Sequence, residues 1–434
     1  MTLNALPRAQ SAEPAWLEQG IQHIWLPYTQ MHTTPAPLPV VATDGVRITL
    51  ADGPELIDGI SSWWTACHGY NHPHIRDAVA RQLDTMPHVM LGGLAHGPAL
   101  RLAKRLADLL PGSLSHVFFS ESGSVSVEVA MKMAVQFWLN QGERHRTRFI
   151  SFKGGYHGDT FACMAVCDPE EGMHTMFNGV VPEQFVVDLP SDEAGFAAFD
   201  QLLERERNNL AAVIMEPLVQ GAGGMKFHTP AQLAEIRRLC DRHGVLLILD
   251  EIFTGFGRTG TLFACEQAEV VPDIVTLSKA LTGGTLPLAA TIASDRVYDS
   301  FLSDDPEQCL MHGPTYTGNA LACAAANASL DLFETEPRLD QVQRIFGELE
   351  RGLAPCRGLE GVVDVRVMGA IGVVQLEAID DPVWFRERFV EEGVWIRPFG
   401  DIVYLTPPFV AESDDIAALT AAIINVVSGW SKGR

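Results

Sequence analysis

Lys279 stands in the run PDIVTLSKALTGG, directly behind apolar residues that read as a buried strand. Most lysines are solvated surface charges. At the end of a buried strand, desolvation disfavours the ammonium and releases a nucleophilic amine. Environment matters as much as residue type, because at the unperturbed pKa only about one lysine in a few thousand is neutral at pH 7. Upstream, Asp250 and Glu251 follow the apolar run VLLIL. A carboxylate at the C-terminal end of a buried parallel strand sits where open α/β sheets bind ligands. It can cap the next turn, hold Mg²⁺ as a Walker-B acid, or pair with the ring nitrogen of a cofactor. The magnesium role needs a GxxxxGK[ST] loop, and the chain holds no Lys-Ser or Lys-Thr pair.

If the two strands are parallel, Asp250 and Lys279 project from one sheet edge. Such a pair suits pyridoxal phosphate: the acid keeps the pyridine nitrogen protonated, and the lysine holds the aldehyde and shuttles a proton. Ser120-Glu-Ser122-Gly123-Ser124 lies between a strand and a long helix. It reads as a plain Ser N-cap or as a phosphate cradle of helix amides and hydroxyls, and the nearby acid and lysine favour the cradle. Gly255-Phe-Gly257-Arg-Thr-Gly260 matches GxGxxG but lacks the helix and the acid a dinucleotide needs, so a Gly-rich loop for close backbone approach is expected. His68, His72 and His74 cluster, yet Gly69 and Pro73 break helical presentation and no Cys or carboxylate completes a set, so no metal is expected. Cys163 and Cys167 read as buried thiols.

These groups need a frame. Nearly unalternating apolar runs at 116–120, 148–152, 211–216, 245–251 and 273–278 alternate with helical stretches, the rhythm of a mainly parallel sheet covered by helices. An Asp-Gly-turned strand pair precedes them. Beyond residue 335 come helices, two strand-like runs, a hairpin at VWIRPFGDIVYL and an amphipathic helix from Ser413 to about Val427. The expected fold is α/β, with a large domain over 75–335 and a smaller α+β domain built from 1–74 and 336–434. In 434 residues, 47% are hydrophobic and 20% charged, which excludes disorder and collagen-like chains. A formal charge of -23 argues against nucleic acid or anionic membrane as partner. Eight cysteines without a CxxC pair, no apolar leader in the first twenty residues and no membrane-length apolar run point to a cytoplasmic protein whose thiols are all reduced and buried.

The segment LLILDEIFTGFGRTGTLFACEQAEVVPDIVTLSKALTGG resembles the pyridoxal-phosphate signature of class III aminotransferases. The likeness runs from about residue 20 to 430 and implies the fold type I architecture of those enzymes. HIWLPYTQM, SSWWTACHGYNHP, GGLAHGPA, KGGYHGDTFACMAVCDP, MHGPTYTGNALACAAANASL and GVWIRPFGDIVYLTPP are most similar to the biotin-pathway members of the class. That implies amino transfer from S-adenosylmethionine to 8-amino-7-oxononanoate, giving 7,8-diaminononanoate. The alternative is a relative that takes an ω-amino donor and a keto acid such as pyruvate.

The resemblance also implies roles. Lys279 would carry the cofactor, Asp250 would face its ring nitrogen, Tyr156 would stack on the ring, and Gly123 and Ser124 would hold the phosphate. Pro314 and Thr315 would reach that phosphate from a second subunit of a homodimer. Tyr28, Trp63, Trp64 and Gly313 would line the substrate pocket, with Tyr28 also in the catalytic set. Arg397 would clamp a substrate carboxylate, and Arg258 would assist it. Many class members carry a glutamate after Gln-Gly that neutralises this arginine; here Ala222 follows Gln220-Gly221. Leu26, where histidine is frequent, is a minor departure.

Overall fold

The computed structural model describes residues 14–51, 53–170 and 172–433. The leader reading falls largely on residues 1–13, which lie outside it, as does Asp52 of the second Asp-Gly turn.

A seven-stranded sheet forms the centre. In chain order its strands are β1 (Leu114–Ser120), β2 (Arg148–Phe152), β3 (Phe185–Val187), β4 (Leu210–Met215), β5 (Leu246–Asp250), β6 (Ile274–Leu277) and β7 (Ala289–Ser294). Across the sheet they run β1-β7-β6-β5-β4-β2-β3. Every residue of β4, β5 and β6 is buried, which is why these runs do not alternate. Pleating sends Leu246, Ile248 and Ile274 to the side of the helix Gly123–Asn140. Leu247, Leu249 and Val275 join the cluster that holds Leu233 and Ile236 of the helix Pro230–His243. That second helix is held by a Thr229/Gln232 capping box and ends on left-handed Gly244.

Only β7 runs against its neighbours. It follows β6 after a short irregular connection, too short for the helical crossover that a parallel neighbour needs. Its sequence, AATIAS, is poor in bulky residues, which is why the sequence reading passed over it. The parallel register of β5 and β6 sets Asp250 opposite Thr276, so the acid and the turn that bears Lys279 leave the sheet at the same edge.

Two smaller sheets accompany it. Val40–Asp44, Arg47–Leu50 and Glu55–Asp58 form a meander that is joined in parallel by Val394–Trp395. Val362–Met368, Ile371–Leu376 and Ile402–Leu405 form the other. The expected hairpin at VWIRPFGDIVYL is therefore corrected. Its first arm pairs with Ile57 and Asp58, and its second pairs with residues 372–375. Pro398 lacks a ladder donor, and only a bridge between Phe399 and Ile402 remains between the arms. The last helix runs further than the periodicity suggests, over Ser413–Lys432.

Seven cysteines are buried and free; Cys309 is exposed, contrary to the uniform burial expected. Among the described residues no helix is long and apolar enough to cross a membrane.

Candidate active site

A cavity of about 490 Å³ opens at the C-terminal edge of β5 and β6, and both Asp250 and Lys279 line it. Lys279 sits in a tight turn with φ at +44°. A non-glycine residue held there costs about 1–3 kcal/mol, strain that collects at functional positions. Its Nζ lies 4.2 Å from the centre of the Trp64 ring and 5.8 Å from that of Phe253. Burial pushes its amine down to about 8, against the opposing pull of Asp250, Glu216 and Asp159.

Asp250 is buried, and three groups hold its carboxylate. His157 Nδ1 lies 2.8 Å from Oδ2, while the Ile252 amide and the Thr276 hydroxyl donate to Oδ1 at 3.1 and 3.2 Å. His157 is itself only 2% exposed. An acid gripped in this way is oriented as well as charged, which suits a partner for a protonated ring nitrogen.

The helix Gly123–Asn140 begins at the cavity wall. Ser122 caps it through the Val125 amide. Gly123 and Ser124 occupy the first turn, whose amides have no intrahelical acceptor. Behind them the packing is tight. A Cβ on Gly158, where φ is +124°, would lie 2.3 Å from Ser124 Oγ, and one on Gly123 would lie 3.0 Å from Ile252. Glycine is needed at 158 for the loop to close on the helix end, while at 123 a side chain would have to displace Ile252. Free amides, the helix dipole and a bare backbone fit a phosphate. With Asp250 and Lys279 beside them, the donor set fits pyridoxal phosphate.

Tyr156 and Tyr28 share one acceptor. Tyr28 donates to Asp159 Oδ1 at 2.5 Å and Tyr156 donates to the same oxygen at 2.9 Å. Burial, reinforced by Asp159, pushes the Tyr28 phenol up to about 12. The Tyr156 amide donates to Glu216 Oε2 at 3.0 Å, and Gly221 donates to Oε1 at 2.8 Å. Burial, with Asp250 nearby, pushes Glu216 up to about 7.

Trp63 and Trp64 form the opposite wall by an unusual route. Ser61, Ser62, Trp63 and Trp64 all have φ between +49° and +73°, one left-handed turn made without glycine. Each such residue costs about 1–2 kcal/mol. Buried Asp58 compensates: it accepts from the amides of Ile60 and Ser62 at 2.8 and 2.9 Å and from the Tyr70 hydroxyl at 2.5 Å. Ser61 Oγ donates to the Thr406 carbonyl. Arg397 lies over Trp63, its guanidinium carbon 5.1 Å from the ring centre. Burial lowers it from the ordinary arginine range. Among the described residues no carboxylate pairs with it, and Ala222 lines the same cavity.

Thus Tyr28, Trp63, Trp64, Gly123, Ser124, Tyr156, Asp250, Lys279 and Arg397 meet at one cavity. Arg258, Gly313, Pro314 and Thr315 do not line it. Arg258 is fully buried behind it, donating to the carbonyls of Ala370 and Pro407 and lying over Phe409. Gly313 and Thr315 are exposed and Pro314 is partly so, in the loop before the helix Ala320–Thr335. Sequence reasoning did not single out His157, Asp159, Glu216 or Asp58. The first two flank Gly158 in YHGD beside Tyr156, and a polar run at a glycine turn is the local signal they carry. Asp58 carries no local signal. The histidine cluster dissolves: His68 turns inward to Arg338 and Ser329, His72 caps the helix Pro73–Thr85, and His74 pairs with Asp331. Among the described residues no group of three metal-ligating side chains is assembled.

Comparison with known proteins agrees with this architecture. The sequence model of class III aminotransferases matches residues 28–427. An adenosylmethionine-8-amino-7-oxononanoate aminotransferase from Corynebacterium glutamicum is 45% identical over 421 residues, 96% of this chain and 99% of the relative. The enzyme of that name from Saccharomyces cerevisiae is 38% identical over 455 aligned positions, 94% of this chain and 95% of the relative. Among solved structures, the enzyme of the same name from Methanocaldococcus jannaschii superposes with a TM-score of 0.90 at 33% identity, over 95% of this chain and 98% of that one. A PLP-bound amine transaminase from an uncultivated Pseudomonas species superposes at 0.85 with 31% identity, over 94% and 98% of the two chains. By full-length sequence match and by shared fold, the chain belongs to the class III aminotransferases.

Proposed function

We propose that this protein is a pyridoxal-phosphate-dependent transaminase that moves an amino group from S-adenosylmethionine to 8-amino-7-oxononanoate, giving 7,8-diaminononanoate for biotin synthesis. The observation that carries the reading is the layout of the cavity, with Asp250 and Lys279 at one end, an unpaired Arg397 at the other and aromatic rings between. An apolar chain ending in a carboxylate matches that order. The names of full-length relatives at 38–45% identity support the same substrates.

When bound, the coenzyme supplies an electron sink that lets an amine carbon lose a proton. Lys279 Nζ, its amine brought down to about 8 by burial, would take that proton and return it from the same side to the neighbouring carbon. The Asp250 carboxylate, held by His157, would keep a proton on the ring nitrogen. The amides of Gly123 and Ser124 bind phosphate, and Tyr156 and Trp64 exclude water around the reacting carbon. Arg397 binds carboxylate as a planar fork. Since no acid masks it, both substrates, each a carboxylate, can use it in turn. Arg258 would act on that end only by packing.

The reading extends to assembly and place. Trp25 is 88% exposed and Met311 69%, and Gly313, Pro314 and Thr315 lie outside the cavity of their own chain. A homodimer whose partner loop completes the phosphate and substrate ends accounts for both. Residues 1–74 and 336–434 would form the smaller domain around the larger one at 75–335. With a charge of -23 and no membrane-length helix among the described residues, the protein would work in the cytoplasm on small molecules, apart from nucleic acid and membranes.

Mixing holoenzyme with S-adenosylmethionine tests the donor. The expected result is loss of the yellow absorption and, on adding the oxononanoate, its return with diamine product. Bleaching by alanine or by an ω-amine but not by S-adenosylmethionine would transfer the assignment to the ω-amine branch. Sedimentation at micromolar concentration checks the dimer.

A further inference from the structure

The turn that carries Lys279 is gripped from behind by residues with no place in the mechanism above. The Ala280 carbonyl, one residue beyond the lysine, accepts from the Gly283 amide at 2.9 Å and from Ser329 Oγ at 3.4 Å. The Cys67 thiol approaches the same oxygen at 3.8 Å. Ser329 lies on the helix Ala320–Thr335 and faces His68 Nε2 at 3.0 Å. On the far side of the imidazole, Arg338 Nε donates to Nδ1 at 2.9 Å. Ser329 is fully buried, and His68 and Arg338 are each 2% exposed.

Chemistry orders these contacts. A guanidinium cannot accept, so His68 Nδ1 must be the bare nitrogen and Nε2 must carry the hydrogen. That hydrogen then goes to Ser329 Oγ, and the serine hydroxyl is left to donate onward to the Ala280 carbonyl. Arg338 therefore sets one tautomer, and the tautomer sets one direction for the whole chain. Burial and the adjacent Arg338 charge both hold His68 well below its ordinary range, so it stays neutral. Its ring is wedged against Phe333, 4.7 Å between centres, and a Cβ on Gly283 would come within 3.3 Å of it.

We propose that His68 and Ser329 are positioning residues for Lys279: the donor chain Arg338–His68–Ser329 clamps the Ala280 carbonyl and so holds the left-handed backbone that presents the lysine amine to the cavity. This rests on Lys279 being the residue that takes the coenzyme. The strained conformation needs a restraint, and a one-way chain of buried donors restrains both position and direction.

The test uses full-length Ser329→Ala and Ser329→Thr proteins stripped of coenzyme and mixed with pyridoxal phosphate. Uptake is read from the growth of the visible band, and kcat and donor KM from the reloaded enzymes. The Ala variant should take up coenzyme at least tenfold more slowly and lose kcat tenfold, with donor KM within twofold of wild type. The Thr variant, which keeps the hydroxyl, should recover to within threefold. An Ala variant that loads and turns over like wild type overturns the proposal, as does a folded Thr variant no better than Ala. Nitrogen-15 spectra of wild-type His68 decide the matter even where Ala fails to fold. A bare Nδ1 and protonated Nε2 from pH 6 to 9 are expected, and the reverse tautomer or an imidazolium would break the chain. Wild-type protein that never develops the band would mark a different failure, that of the coenzyme reading itself.

Discussion

His157 Nδ1 lies 2.8 Å from Asp250 Oδ2, both side chains being largely buried in the cavity wall. The pair joins the loop after β2 to the end of β5. It makes the strength of Asp250 as a ring partner depend on a second side chain of the cavity wall. Replacing His157 by Phe keeps the volume and removes the hydrogen bond. A buried carboxylate that loses a charge-assisted partner costs about 1.5–3 kcal/mol. Turnover should fall roughly 10- to 100-fold, with a shifted visible absorption maximum and donor KM little changed. A wild-type spectrum and kcat in this variant would show that the imidazole is mere packing.

Lys279 should make the coenzyme-free protein less stable at neutral pH. Its amine is held at about 8 when folded, against an ordinary value of 10.5. Between those values the unfolded chain binds more protons, so stability rises with pH. Below about 8 both states are protonated, and the folded one bears a desolvation cost on the order of 3 kcal/mol. A Lys279→Met apoprotein should therefore melt higher than wild-type apoprotein at pH 7, and the gap should close as pH climbs from 8 to 10.5. Calorimetry across that window checks it. The same variant should show neither turnover nor the coenzyme band.

Asp58 holds the left-handed turn that presents Trp63 and Trp64. Asp58→Ala removes the acceptor of two amides and one phenol. A stability loss of about 3 kcal/mol or more is expected, together with a rise in acceptor KM as the tryptophan wall loosens. Denaturant titration and steady-state kinetics read the two effects separately.

Among the described residues Arg397 has no acid to mask it, and Ala222 marks the place where one could be added. Ala222→Glu should raise KM for both carboxylate substrates at least tenfold while improving relative activity toward amines that lack a carboxylate. Arg397→Met should weaken the same substrates by 10- to 100-fold, the scale of a lost charge-assisted fork. If Ala222→Glu leaves both KM values unchanged, the arginine does not meet the carboxylate.

Much of the centre was legible because its information is local. An unalternating apolar run marks a doubly buried strand, and the residue that follows it must lie at a sheet edge. Asp250 and Lys279 could therefore be placed together once their strands were taken as parallel. The cradle at Ser122–Ser124 was legible for the same reason, since a strand, a Ser-Gly turn and a helix are consecutive. Nothing in the local pattern gave the antiparallel β7, whose small residues pack only because their neighbours demand them. Nor did it show that VWIRPFGDIVYL divides between two sheets, since two apolar arms on either side of Pro-Phe-Gly-Asp read as a hairpin.

By itself, then, the chain determined which strands are buried and which polar residues end them, because burial periodicity is written along the backbone. The tertiary structure alone decided that the turn held by Asp58 sets Trp64 against the lysine, that Arg397 lies on Trp63, that His157 backs Asp250 and that Arg258 turns away into the core. Except for the short step from Asp58 to Ser62, those contacts join residues distant in the chain. Their geometry follows from the packing of whole sheets and helices against one another, which no short window of sequence contains.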